Sequence, residues 1–114
     1  MTTITELQQK LRTFAKARDW EQFHSPKNLV MALSVEASEL LEHFQWLTEA
    51  EAQNLSTEQK ALVAEEMADV LLYLLRLADG LNVDLLDAAE KKMAKNEKRF
   101  PVEKVKGSAK KIRE

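Results

Sequence analysis

Two pairs of acidic residues, each set in an apolar stretch, constrain the fold of this chain more than any other sequence feature. Glu36 and Glu39 stand three residues apart, and so do Glu66 and Asp69. Residues at i and i+3 share one face of an α-helix, so each pair predicts a helix with both carboxylates on one side. Because apolar residues flank both pairs, we expect the four acids to face a helical interior.

Mutual repulsion between these carboxylates predicts a cation among them. Two carboxylates about 5 Å apart repel by about 3 kcal/mol at an effective dielectric constant of about 20. No Lys or Arg lies within one helical turn of either pair, and the chain has no cysteine. An all-oxygen ligand set favours Mg²⁺, or Mn²⁺ as its substitute, over Zn²⁺. The alternative, that the acids are solvated surface residues, stays open at this point because a single acidic pair is common on helices.

Turn-forming residues are scarce, with two Gly and two Pro in 114 residues. This scarcity argues against an all-β chain and favours long helices with few connections. Apolar periodicity and capping residues predict four helices, over about 4–17, 26–47, 57–79 and 85–99, with 48–55 as a connection and Gly80 ending the third helix. We therefore expect an all-α, four-helix antiparallel bundle over residues 1–100 and a basic, loosely ordered tail over 101–114.

The predicted third helix is apolar nearly all round between Val70 and Leu77, where Arg76 is the one charge. A helix of this kind needs cover on both sides, which a small bundle does not provide alone. The pattern predicts a homodimer, or a dimer of dimers that forms a homotetramer.

Charge and hydropathy exclude several classes of protein. The net charge of −2 and the pI near 5.8 argue against a nucleic-acid polymer as partner. No apolar run approaches the roughly 20 residues of a membrane span, and the residues after Met1 lack the basic start and apolar core of a signal peptide. We expect a cytoplasmic protein with no membrane partner.

Aromatic and basic residues near the acids form a second candidate set. Trp20, Trp46 and Tyr73 can stack a nucleobase, and Tyr73 lies one helical turn beyond Asp69. Packing in the core or at an interface is the alternative role for each ring. Lys92 and its i+4 neighbour Asn96 can bind phosphate oxygens, although a solvated basic face explains them equally well.

Several of these segments together resemble one protein family. The acidic pattern E-x-x-E, followed after 26 residues by E-x-x-D, is similar to that of the MazG-like all-α nucleoside triphosphate pyrophosphohydrolases. The similarity extends over about residues 7–101 and is greatest to the dCTP pyrophosphatase branch. It is carried by the sequences RDWEQFH at 18–24, FQW at 44–46, DVL at 69–71, and Lys92-Met93 with Asn96.

The resemblance implies cleavage of a nucleoside triphosphate between its α and β phosphates, which releases the monophosphate and pyrophosphate. It implies that Glu36, Glu39, Glu66 and Asp69 bind Mg²⁺. It further implies a set of substrate-binding residues: Trp20, Glu21, Gln22, Phe23, His24, Trp46 and Tyr73 around the base and sugar, and Lys92 and Asn96 near the phosphates. Leu11 stands where close dCTP-preferring relatives carry His, and Ser38 stands where a Gly is common, so the preferred base stays open.

Metal-assisted, in-line attack by water is the expected mechanism. Glu39 is the candidate for orienting or deprotonating the water, chosen from four acids. Two other functions remain open from the sequence: a non-catalytic nucleotide sensor that uses the same pocket, and a helical interaction module whose acids are solvated.

Overall fold

The computed structural model describes residues 1–109, and within that range every regular element is helical. The elements are α1 (Ile4–Ala17), a 3₁₀ turn (Glu21–Phe23), α2 (Pro26–Glu42), α3 (Glu49–Gln53), α4 (Thr57–Leu81), α5 (Leu85–Arg99) and α6 (Val102–Val105). The backbone divides into two compact units, the first over Met1–Asn82 and the second beginning at Val83. The predicted all-α class is confirmed.

Three long helices pack together in the first unit, with α4 against both α2 and α1. The Gln8 side chain meets the Leu75 carbonyl and Arg12 meets Asp79, so α1 and α4 run in the same direction. His24, just before α2, bonds to Arg76 near the end of α4, whereas Glu36 lies beside Glu66. The α2 and α4 helices are therefore antiparallel, which brings the middle of α2 to the first half of α4.

Capping residues set the helix starts where the sequence predicts them. The hydroxyls of Thr3, Ser25 and Ser56 and the carboxylate of Asp84 each accept a hydrogen bond from an amide in the first turn of the next helix. Such caps satisfy one of the otherwise unpaired N–H groups and contribute about 1 kcal/mol each.

The predicted end of the second helix is wrong. The α2 helix stops at Glu42. The N–H groups of Phe44 and Leu47 then donate to the carbonyl groups three residues earlier, which gives a tighter turn than that of an α-helix. The predicted connection after it contains α3, since Thr48 and Glu51 form a capping box with both reciprocal bonds present. Because the capping box of Thr48 and Glu51 starts a new helix, α2 does not continue, and Trp46 lies in a turn rather than on a helix.

The end of the third predicted helix also differs, because Gly80 lies inside α4. Asn82 ends the helix instead, in the left-handed conformation with φ 56° and ψ 41°. Its N–H donates to the Ala78 and Asp79 carbonyls, which would otherwise lack partners. Asn adopts this conformation at a low cost relative to other residues with a side chain, so a glycine is not required for the stop.

The core of the first unit is small, and much apolar surface of α4 remains in solvent. Among the described residues the buried apolar ones are Ala15, Leu29, Val63, Leu75 and Ala78. On α4, Met67 is 57% exposed and Leu71 is 45% exposed. Apolar side chains of α4 therefore lie both in the core and in solvent. The dimer or tetramer inferred from it stays a prediction.

In the second unit, α5 has the predicted bounds and Pro101 begins the short helix α6. One turn of the predicted loose tail is thus helical, while Lys110, Lys111, Arg113 and Glu114 lie outside the described residues. The predicted boundary of the domain at residue 100 stays a prediction. No described helix is both long and apolar enough to cross a membrane.

Candidate functional site

Three of the four predicted acids converge where α2 crosses α4. One carboxylate oxygen from each of Glu36, Glu39 and Glu66 lies within 4.8 Å of the others. All three side chains are half-buried. The i, i+3 spacing places Glu36 and Glu39 on the face of α2 that meets α4, and the antiparallel packing brings Glu66 opposite them. We call these three residues the acid cluster.

Burial and like charge act together on the acid cluster. Burial, a hydrogen bond with Glu39, and the negative charges of Glu39, Asp69 and Glu66 raise the pKa of Glu36 to about 7. Burial and the charge of Glu39 also raise the pKa of Glu66, while a hydrogen bond with Glu36 acts in the opposite direction. In the absence of a cation, the cluster therefore holds a proton at a pH where isolated glutamates are ionised.

Two oxygen atoms of the acid cluster indicate that it fits a metal ion. Oε2 of Glu36 and Oε2 of Glu66 are buried without a hydrogen-bond partner among the described residues. Buried polar atoms are nearly always paired, so two orphaned carboxylate oxygens at one point call for a ligand. Three carboxylates that offer oxygen atoms alone suit a hard divalent cation, which keeps further positions for water or phosphate.

The fourth predicted metal ligand, Asp69, is outside the acid cluster. Its side chain is exposed, although its charge is near enough to raise the pKa of Glu36. Asp69 instead lines a cavity of about 440 Å³ beside the cluster. The structure thus groups three acids and sets Asp69 at the border between the cluster and the cavity.

The cavity joins α1, α4 and the segment between α1 and α2, and we call it the aromatic cavity. Three predicted substrate-binding residues line it: Trp20, His24 and Tyr73. The rings of Phe14 and Trp20 meet edge to face, with centroids 5.7 Å apart. The remaining lining residues are Leu7, Lys10, Leu11, Ala15, Leu72 and Arg76. Flat apolar walls next to an acid cluster are suited to an aromatic ring that carries phosphates.

Other predicted substrate-binding residues lie away from this cavity. Gln22 donates to the backbone and side chain of Asp19 and supports the turn, and Phe23 is 59% exposed. Glu21 lines a separate groove on the far side of Arg76. Trp46 is 86% exposed in the turn after α2 and is not part of the cavity lining.

Lys92 and Asn96 lie one helical turn apart on α5, in the second unit. Lys92 is exposed and Asn96 is half-buried. Their role near the phosphates stays a prediction.

A charged network at the end of α4 was missed by the sequence reasoning. Arg12 of α1 bonds to Asp79 at 2.6 Å, and Arg76 lies 3.6 Å from the same carboxylate and donates to His24. The signal was Arg76 itself, since a single charge within an apolar helix requires a partner. Asp79, three residues later, is on the same face and provides one.

The comparisons with known proteins agree with this geometry. Residues 31–114 match the model of the MazG-like family. The dCTP pyrophosphatase 1 of Rattus norvegicus is 44% identical over 109 residues, which are 94% of this chain and 64% of that protein. The Homo sapiens protein of the same name is 42% identical over 98% of this chain and 67% of its own length. The chain thus spans about two thirds of the length of these curated relatives.

One solved structure is similar to this chain over nearly the whole length of that structure. A pyrophosphatase from Archaeoglobus fulgidus is 41% identical and superposes with a TM-score of 0.83 over 89% of this chain and 94% of that one. Fold and site define an all-α protein in which glutamates of two antiparallel helices converge beside an aromatic cavity. Within that class, the chain belongs to the MazG-like family.

Proposed function

We propose that the chain is a Mg²⁺-dependent nucleoside triphosphate pyrophosphohydrolase that cleaves between the α and β phosphates. The observation that carries the proposal is the acid cluster, in which two buried oxygens find no hydrogen-bond partner in the described part of the chain. Relatives named dCTP pyrophosphatase 1 support a deoxynucleotide such as dCTP, or a modified form of it, as substrate. The role would then be to cleanse the nucleotide pool.

Glu36, Glu39 and Glu66 are the residues proposed to hold Mg²⁺, with Asp69 as a fourth acid at the cavity border. When bound, the ion offsets negative charge on the phosphates and on the departing pyrophosphate. Mn²⁺ offers the same ligand preference and is the expected substitute. Binding of the ion requires the carboxylates to be deprotonated, so the cluster would release its proton when Mg²⁺ binds.

Glu39 is proposed to orient the attacking water and to accept its proton on a carboxylate oxygen. Its neighbour Glu36 is the group whose pKa is raised to about 7, and the charge of Glu39 contributes to that shift. Trp20 and Tyr73 are proposed to hold the base by stacking, which directs the phosphates toward the cluster. Lys92 and Asn96 are proposed to bind phosphate oxygens, and Trp46 is proposed to stack on the base within an assembly of copies.

The remaining predictions follow from the same proposal. The four-helix antiparallel bundle, its assembly as a homodimer or homotetramer and its cytoplasmic location are part of it. Support for the assembly comes from the apolar residues of α4 that remain in solvent.

Incubation of the purified protein with Mg²⁺ and a panel of canonical and modified nucleotides tests this function. The proposal predicts nucleoside monophosphate and pyrophosphate as products, separated by chromatography. Release of inorganic phosphate and a diphosphate would contradict the position of cleavage. Nucleotide binding without pyrophosphate release would identify the competing function, a non-catalytic sensor. No binding, with a melting temperature that Mg²⁺ leaves unchanged, would favour the helical interaction module.

A further inference from the structure

The polar wall of the aromatic cavity is formed by a clamped arginine. Arg76 has a side chain that is 16% exposed and lines the cavity together with His24. Its guanidinium lies 3.6 Å from Asp79, which Arg12 holds in place from α1. An arginine fixed on two sides has less rotamer freedom to lose when it meets a ligand.

The hydrogen bond between Arg76 and His24 fixes which ring nitrogen can donate. Nε of Arg76 donates to Nδ1 of His24 at 3.2 Å. Arginine has no acceptor, so Nδ1 carries no proton and the ring N–H is at Nε2. Burial and the Arg76 charge also lower the pKa of His24, which keeps the imidazole neutral. His24 therefore keeps one N–H donor, at Nε2, and both Arg76 and His24 line the cavity.

Part of the Arg76 fork remains available to a ligand. Nε is used by His24 and Nη1 is the atom nearest Asp79, while Nη2 has no hydrogen-bond partner among residues 1–109. Of the other polar groups in the lining, Lys10 donates, Asp69 accepts and the Tyr73 hydroxyl does either. The rest of the lining is apolar. A base in this cavity thus meets more donors than acceptors along its hydrogen-bonding edge.

Bases differ in how well they match such a wall. Cytosine presents two adjacent acceptors, N3 and O2, whereas thymine and uracil carry a hydrogen on N3. Guanine offers a comparable pair at N7 and O6, the pair that arginine commonly binds with both arms of its fork. A site built to bond two acceptors rejects an analogue that replaces one with a donor, because a buried polar group is then left unpaired.

We propose that Arg76 is a specificity-determining residue, whose guanidinium, clamped by Asp79 and His24, selects bases with two adjacent acceptors and rejects thymine and uracil. The inference rests on the proposed function, since it assigns the base preference of that same cavity. Cytosine is the pyrimidine that fits it.

The test compares dCTP, dGTP, dTTP and dUTP as substrates of the wild-type protein and of two variants, Arg76→Gln and Arg76→Lys. We expect the wild type to favour dCTP over dTTP in kcat/KM. Loss of the hydrogen bonds that Nη2 of Arg76 would donate to the base should reduce that ratio by about 5- to 150-fold in both variants. Lys keeps the charge beside Asp79 and so preserves folding, but it lacks the planar fork. A dGTP rate that falls with the dCTP rate would support the same recognition chemistry.

Lys16→Ala is the matched control, since it removes one positive charge from α1 outside the aromatic cavity. It should leave the dCTP to dTTP ratio unchanged. A wild type that hydrolyses dCTP and dTTP equally well, or a ratio that persists in Arg76→Gln, would overturn the proposal while leaving the pyrophosphohydrolase function intact.

Calorimetry with dCMP and dTMP separates this inference from the reaction. Tighter binding of dCMP by the wild type, lost in Arg76→Lys, would support the role of Arg76 even in a protein that releases no pyrophosphate. Equal affinities, or no binding of either monophosphate, would overturn it.

Discussion

The two halves of α4 differ in whether their charged side chains meet partners of opposite charge. In the first half, Glu66 meets Glu36 and Glu39, and two carboxylate oxygens there have no hydrogen-bond partner within residues 1–109. Near its end, the charged groups are matched: Arg12 pairs with Asp79, and Arg76 lies between Asp79 and His24. The two places are 13 residues apart on one helix, roughly 20 Å at about 1.5 Å per residue.

This difference distinguishes a ligand-binding site from the paired residues that support the fold beside it. A satisfied ion pair lowers the free energy of the folded chain or holds a side chain in position, whereas an uncompensated cluster raises it until a ligand arrives. The acid cluster is therefore where an external cation belongs. The paired end of α4 shapes the neighbouring cavity without needing one.

Glu39→Gln should have the largest effect, because it removes the proposed base while keeping the side-chain shape. We expect kcat to fall by about 10²- to 10⁴-fold with helicity unchanged, measured by pyrophosphate release and circular dichroism. Glu65→Gln is the control, since Glu65 is exposed and is not part of the cluster. A fully active Glu39→Gln variant would remove Glu39 from the mechanism.

Asp79→Asn should break the paired end of α4. Arg12 and Arg76 would both lose their charged partner, and we expect the free energy of unfolding to fall by about 1–3 kcal/mol in urea titrations. Asp87→Asn removes the pair with Lys91, in which both side chains are more than half exposed, and should cost at most about 0.5 kcal/mol. Equal losses in the two variants would show that the network at Asp79 has no special weight.

The stability of the metal-free protein should depend on pH through Glu36. The folded chain raises the pKa of this group from its ordinary value of 4.5 to about 7, so folding favours its protonated form. That contribution is complete below about pH 4.5 and is lost as the pH rises through about 7. Glu36→Gln should remove this dependence and stabilise the metal-free protein at pH 8 by an amount on the order of 1 kcal/mol, after allowance for solvent screening. Parallel pH profiles for the two proteins would be evidence against repulsion in the cluster.

Trp46→Ala should have the smallest effect on folding. Its side chain is 86% exposed, so the free energy of unfolding should change by less than about 0.5 kcal/mol. If stacking holds the base before and during reaction, KM should rise while kcat changes little. A lower kcat at constant KM would exclude a stacking role for this ring.

Local rules were sufficient for the four longer helices, their starts and the convergence of three acids. Helical spacing placed Glu36 and Glu39 on one face, and the prediction of α2 and α4 as consecutive long helices of an antiparallel bundle made them neighbours. Capping chemistry located Thr3, Ser25, Ser56 and Asp84. The errors at the ends of α2 and α4 came from capping residues that were not recognised, Thr48 and Asn82, which define a helix start and a left-handed stop.

Contacts between elements that are distant in sequence could not be predicted from such local rules. Asp69 has the correct spacing for the cluster, but its exposure and its place at the cavity depend on the rotation of α4 about its axis. The partners of Arg76 come from α1, from the turn before α2 and from its own helix. A single sequence indicates that a charged residue on an apolar helix face needs a partner, but it does not identify the residue that acts as that partner.

Thermal unfolding in the presence and absence of Mg²⁺, without nucleotide, tests most directly whether the unpaired acids of α2 and α4 form a metal site. At a free Mg²⁺ concentration tenfold above its dissociation constant, binding stabilises the fold by about 1.4 kcal/mol. We predict a higher melting temperature for the wild type and no rise for the double variant Glu36→Gln, Glu66→Gln. A melting temperature that Mg²⁺ leaves unchanged, or raises equally in both proteins, would contradict the account.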